Sequence, residues 1–106
     1  MTDDPGSAQI PGIIVLGTAT ATAEGFDEML EAALAHVHRS RTEPGCLAHG
    51  VSRDEENPLR LVFVERWADR EALNAHFAVP ASAAFVEVVQ RVSAAAPTLE
   101  IFPVVR

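Results

Sequence analysis

Lysine is absent from this 106-residue sequence, and cysteine occurs once, at Cys46. A lone thiol excludes an internal disulfide and any multi-cysteine zinc or iron–sulfur site. Positive charge is also scarce: eight bases, all arginine, face fifteen acids for a formal charge of −7. That balance repels phosphate backbones and anionic lipid, so no nucleic acid and no membrane is expected as a partner. No uncharged run is long enough for a bilayer span. The opening Met1-Thr2-Asp3-Asp4-Pro5-Gly6-Ser7 lacks the basic start and apolar core of an export signal, which makes a reducing, cytoplasmic location the expectation. What the sequence does have is apolar content, 48% against 22% charged, too much for a disordered chain and enough for one core.

Residues 1–11, rich in Asp, Gly, Ser and Pro, read as a flexible tail, and residues 12–106 as a single domain. The β-branched run from Ile13 continues into alternating threonines, which predicts a first strand over 13–21. From Glu24 the spacing of Phe26, Met29, Leu30, Ala33, Leu34 and Val37 places one apolar stripe on a helix capped near Thr22 or Ala23 and stopped by Pro44-Gly45. Strands over 46–53 and 59–67 flank a turn at 54–58. Asp69 caps a short helix that carries Leu73, His76 and Phe77 on one side and ends at Pro80. A further helix from about Ser82 has Phe85, Val88, Val89 and Val92 as its stripe, and a last strand follows over 98–105. The order βαββααβ predicts an α+β, ferredoxin-like fold: a four-stranded antiparallel sheet with helices on one face. Strand 59–67 is apolar on both faces, and the chain has no element left to cover the second. A second copy is the predicted cover, in a symmetric homodimer packed sheet on sheet.

Glu43-Pro44-Gly45-Cys46-Leu47, Asn57-Pro58, Glu65-Arg66-Trp67, Glu71-Ala72-Leu73 and His76-Phe77 before Pro80 form a connected series. Over residues 13–104 this series resembles the antibiotic biosynthesis monooxygenase family of dimeric α/β barrels, which includes quinol monooxygenase-like proteins. The resemblance implies a pocket between sheet and helices for a small aromatic or quinone-like substrate, whose phenolate reduces O2 without metal or flavin. No cofactor and no metal are then required, and the protein deprotonates, shields and positions the substrate. Phe63 stands where the polyketide-oxidising branch carries asparagine, Leu73 where it carries an aromatic hydroxyl, and Phe85 where the haem-degrading branch carries its axial histidine.

His76 lies three residues after Leu73, at the edge of the buried stripe, where an imidazole is suited to take a phenolic proton or, structurally, to bond a strand or solvent. Glu65, an acid inside an apolar strand, needs a partner: an arginine, a helix end, or a proton-handling role. Trp67 shares the side-chain parity of Phe63 and Glu65 and reads as core filler or as a wall for a flat ligand. His49 shares the parity of Leu47 and Val51 and faces either pocket or dimer seam. His36 and His38, two apart on a helix, diverge and read as solvated, a poor pair of metal ligands. Cys46 reads as a small hydrophobe, and Thr18 and Thr20 as ligand donors or ordinary strand residues. The candidate catalytic pair is therefore His76 and Glu65, with Trp67, Phe63, His49, Phe77, Phe85 and Thr18 as candidate substrate contacts. Two other classes fit the same residues: a non-catalytic ligand-binding or stress-response dimer, and an isomerase or cyclase that moves protons without oxygen.

Overall fold

The computed structural model describes residues 10–105; apart from Ile10 and Pro11, the tail expected over residues 1–11 lies outside them. The chain runs β1 (Ile13–Thr20), α1 (Phe26–Ser40), β2 (Cys46–Asp54), β3 (Asn57–Trp67), α2 (Arg70–Ala78), α3 (Pro80–Val92) and β4 (Thr98–Pro103), the ferredoxin-like order that the periodicities predict. The four strands lie in the order β2-β3-β1-β4, each antiparallel to its neighbour.

Several boundaries differ from the expectation, most of them for a local reason. Helix α1 starts at Phe26 and not at Glu24, because Thr22 Oγ1 accepts the amide of Gly25 (3.1 Å) and closes a turn first. The hairpin turn is shorter than 54–58: Asp54 Oδ1 accepts from Glu56 N and Asn57 Oδ1 from Leu59 N, so Asn57-Pro58 already belong to β3. Pro80 opens α3 as its first residue, a position where the missing N–H costs nothing. Val79 is thereby both the last cap of α2 and the first cap of α3, and the two helices meet at 71°. Strand β4 ends at Pro103, short of Val105. The Asp69 cap is as predicted, its carboxylate accepting the Ala72 amide at 2.8 Å.

Period-two alternation sets the two sheet faces. Ile13, Val15 and Ala19 of β1 and Leu61, Phe63, Glu65 and Trp67 of β3 turn inward toward the helices and are buried. The other face leaves Leu16, Val64 and Phe102 at 38%, 45% and 44% exposure. On α1 the buried stripe is Phe26, Met29, Ala33, His36, Val37 and Ser40, while Leu34 is exposed. The stripe admits two polar residues, His36 and Ser40, and Ser40 Oγ is satisfied within the helix by donating to the His36 carbonyl.

The interior is divided. One apolar cluster gathers Phe26, Met29, Val37, Leu61, Phe63 and Val89; a second gathers Ile13, Val15, Trp67 and Leu73. Between Phe63 and Trp67 on β3 sits Glu65, and the buried His36, His49 and His76 converge beside it. Among the described residues no single helix is long and apolar enough to cross a membrane.

Candidate active site

Register brings the first two polar groups together. His49 of β2 lies opposite Glu65 of β3, with Nε2 3.4 Å from Oε1, an electrostatic neighbour and not a well-made hydrogen bond. That resolves the orientation of His49: it points to the helices, away from the open sheet face. The firm bond to Glu65 comes from Trp67, whose Nε1–H donates at 2.9 Å. Among the described residues neither an arginine nor a helix end partners this acid, in place of the two structural partners expected for it. Burial works to raise the Glu65 carboxyl; the His49 ring and the Trp67 N–H outweigh it and hold the group below its usual range.

Helix α1 contributes two residues that lay outside the candidate site expected from sequence, His36 and Arg39. His36 is buried at 6% exposure, which overturns its reading as solvated; its ring stacks on Phe85 at 4.3 Å between centroids. The Arg39 guanidinium lies 2.7 Å from His36 Nδ1. A guanidinium only donates, so Nδ1 accepts and the ring proton sits on Nε2. Burial above all, then the rings and charge of His49, Arg39 and His76, push the His36 imidazole down from 6.5 to about 3. His38 is exposed, as expected.

Helix α2 brings His76 over Trp67, with ring centroids 4.7 Å apart. Its Nδ1 lies 2.7 Å from Glu43 Oε1 in the turn after α1. A carboxylate only accepts, so Nδ1 carries the hydrogen and the neutral ring keeps a lone pair on Nε2. Glu43 could not be found by local reading, because 33 residues separate it from His76. Ser82, at the start of α3, ties the arrangement together by donating to the His76 carbonyl (2.9 Å) and accepting from Arg39 (3.2 Å).

These groups close the inner end of a cavity of about 250 Å³. His36, Glu65, His76 and Ser82 form its polar end, and Phe63, Phe85 and Val89 its apolar walls. Phe77, at 43% exposure, belongs to the rim with Val86 and Leu99, not to the core. Thr18 borders the cavity, but its side chain has the parity of Leu16, so its hydroxyl, engaged with that of Thr98 at 2.6 Å, lies on the open sheet face. Trp67 and His49 do not line the cavity. Trp67 is fully buried behind Glu65 and reaches the site through its N–H and through the face on which His76 packs. A second, shallower cavity on the far side of His76 is lined by Glu43, Asp69 and Glu71, so that His76 faces both. Half-buried Cys46 has its thiol pushed up, first by burial and then by Glu43 and Glu65, which fits its reading as inert.

A four-stranded antiparallel sheet backed by three helices, with histidines and carboxylates at the closed end of an interlayer cavity, defines a ferredoxin-like protein with a small-molecule site. Residues 12–88 match the antibiotic biosynthesis monooxygenase family, and the chain belongs to it. A solved structure of an antibiotic biosynthesis monooxygenase superposes with a TM-score of 0.82 at 28% identity, covering 89% of this chain and 99% of that one. A candidate antibiotic biosynthesis monooxygenase from Deinococcus radiodurans shares the fold at a TM-score of 0.84 and 22% identity, covering 89% of this chain and 93% of that one. In Synechocystis, the uncharacterized protein sll1783 is 32% identical over 85 residues, 80% of this chain and 53% of that protein. The chain therefore spans about half the length of the curated relative it matches.

Proposed function

We propose that the protein is a monooxygenase for a small planar phenol or quinol, which itself supplies the electrons that reduce O2. The observation that carries this reading is His76: one ring nitrogen is anchored on Glu43, and the ring lines the cavity, which leaves Nε2 as the lone-pair donor of the neutral form. A phenolic hydroxyl seated at the polar end gives its proton to His76 Nε2. Glu43 holds the ring in the correct tautomer and stabilises the imidazolium that forms. The apolar walls from Phe63 and Phe85 exclude water from the electron-rich anion and lie against a flat ring. For a quinol the balance closes without a reductant: one oxygen atom enters the ring, and the other leaves as water with two substrate hydrogens, giving a hydroxyquinone. Because His76 also faces the second cavity beside Glu43, the abstracted proton has a way out that does not cross the substrate.

A homodimer belongs to the same proposal. Leu16, Val64 and Phe102 lie on the sheet face that no element among the described residues covers, and a second copy would bury them symmetrically. One observation favours a second reading: Glu65 and His76 face one cavity, so a proton could be moved between substrate atoms without oxygen. Turnover under anaerobic conditions would establish that isomerase or cyclase reading.

The test is oxygen uptake by chelator-treated protein on a panel of quinols and anthrone-like phenols. Uptake equimolar with substrate is expected, reduced about 10²–10⁴-fold in His76→Gln and less in Glu43→Gln. Equal rates in wild type and His76→Gln would overturn the role of His76. Tight ligand binding with no turnover would leave a binding protein.

A further inference from the structure

We propose that His36, His49 and His76 form a site for a divalent first-row transition ion of the zinc class. The inference stands apart from the oxygenase reading and reverses the expectation, drawn from the lone cysteine and the divergence of His36 and His38, that no metal set exists. Three separate elements, α1, β2 and α2, each deliver one imidazole. One ligand atom from each lies within 4.8 Å of the other two, and all three residues are buried. A tetrahedral zinc ion with nitrogen ligands at 2.0–2.1 Å sets them about 3.4 Å apart, so side-chain rotations of less than about 1 Å per ring close the set.

Three further observations point to a ligand and not to three structural histidines. First, the His49 side chain is wholly buried, and neither of its ring nitrogens has a hydrogen-bond partner. Buried structural histidines are normally bonded, whereas a metal ligand keeps one nitrogen open. Second, His76 has the outer support of a metal-bound histidine, a carboxylate on Nδ1 that leaves Nε2 to bind. Third, the charge is right for a cation. The carboxylates of Glu43 and Glu65 face the histidine side chains together with the guanidinium of Arg39, while the Arg41 guanidinium is bound to the His49 backbone carbonyl (2.9 Å). The fourth coordination position falls toward the cavity that His36 and His76 line, which leaves room for water or a ligand oxygen.

Arg39 is the group set against the ion, and its surroundings say how it yields. It holds His36 Nδ1, but its Nε and Glu43 Oε2 are both buried without a hydrogen-bond partner, 3.6 Å apart. A short movement of Arg39 onto Glu43 pairs these two atoms and releases the His36 ring to bind. Since the ion takes the lone pair of His76 Nε2, the loaded protein has no proton acceptor there, and metal and phenol deprotonation exclude each other.

The test is binding, independent of turnover. Chelator-treated protein is titrated with Co2+ and then with Zn2+. The expected result is one ion per chain, cobalt d–d bands of tetrahedral intensity, and their loss on adding Zn2+. Affinity should fall more than 100-fold in His49→Phe and in His36→Phe, fall 10–100-fold in Glu43→Gln, and stay unchanged in His38→Ala. Should a histidine variant fail to fold, side-chain NMR of wild type decides: Zn2+ must shift the rings of His36, His49 and His76 and leave His38 in place. Wild-type affinity equal to that of the His49 variant, or ring shifts confined to His38, would overturn the site.

Discussion

Gly45→Ala tests whether the turn after α1 is held against α2 as tightly as the candidate site requires. Gly45 is the residue of that turn with a positive φ, +79°, a region where a β-carbon clashes with the backbone. An added Cβ would also lie 2.5 Å from the Cβ of Ala72 on α2, a methyl that has no rotamer to escape into. The conformational term costs about 1–2 kcal/mol, and the forced separation of turn and helix about 1–2 kcal/mol more. The sum, about 2–4 kcal/mol, lowers the melting temperature by roughly 10–25 °C in a domain of this size. The effect should reach the site as well. Glu43 is two residues from Gly45 and His76 four from Ala72, so moving the turn off the helix breaks their 2.7 Å bond. Thermal unfolding followed by circular dichroism measures the first effect, and the His76 ring resonances the second. A double-mutant cycle separates the terms: Ala72→Gly alone costs about 1 kcal/mol as a glycine in a helix, but in the Gly45→Ala background it removes the clash and should recover part of the loss. Strict additivity, or a loss under about 1 kcal/mol for Gly45→Ala alone, would refute the close packing of turn on helix.

Acid should destabilise the protein well above the carboxylate range. The unfolded chain takes a proton on His36 near pH 6.5 and the folded chain only near 3, so this stability is complete above 6.5 and falls as the pH drops; the loss between pH 7 and pH 5 is about 2 kcal/mol, read from urea midpoints of metal-free protein. His36→Gln should flatten that slope, and a wild type equally stable at both pH values would contradict the buried neutral ring. Below the ordinary glutamate range a second loss follows, because Glu65 is held below its usual value and its contribution disappears once it is protonated. Asp69→Ala should cost about 1 kcal/mol by freeing the Ala72 amide, with Asp69→Asn nearly neutral. Arg91→Ala, by contrast, should leave the melting temperature unchanged, because its pair with Glu28 is solvent-exposed on both sides.

Much of the fold was legible because local signals agreed with one another. Pro44-Gly45, the Asp69 cap and Pro97 punctuate the chain where periods change, and the parity of Phe63, Glu65 and Trp67 put them on one inner face. The site was less legible, for three different reasons. His49 needed a register, and only its pairing opposite Glu65 supplies one. His36 was read as solvated because the α1 stripe was drawn from apolar residues alone; Met29, Ala33, His36 and Ser40 run in phase at spacings of four, three and four, and a stripe that admitted polar residues would have included it. Arg39 pairs locally with His36 and Glu43, but the links of Glu43 to His76 on α2 and of Arg39 to Ser82 at the start of α3 leave no trace in the local pattern. Trp67 was read as core filler or cavity wall; the cavity stops at Glu65, and the indole is core filler beneath α2.

The shared cap at Val79 means that α2 and α3 cannot adjust separately. One residue joins the helix that carries His76 to the helix that walls the cavity with Phe85 and Val89, and the Ser82 hydroxyl ties the two again at the His76 carbonyl. Cavity width and imidazole position are therefore a single mechanical coordinate. A guest thick enough to push α3 outward drags the ring away from the hydroxyl it would deprotonate. Molecules of different thickness should then differ more in kcat than in KM, so that the protein discriminates among guests after they have entered and not at the entrance.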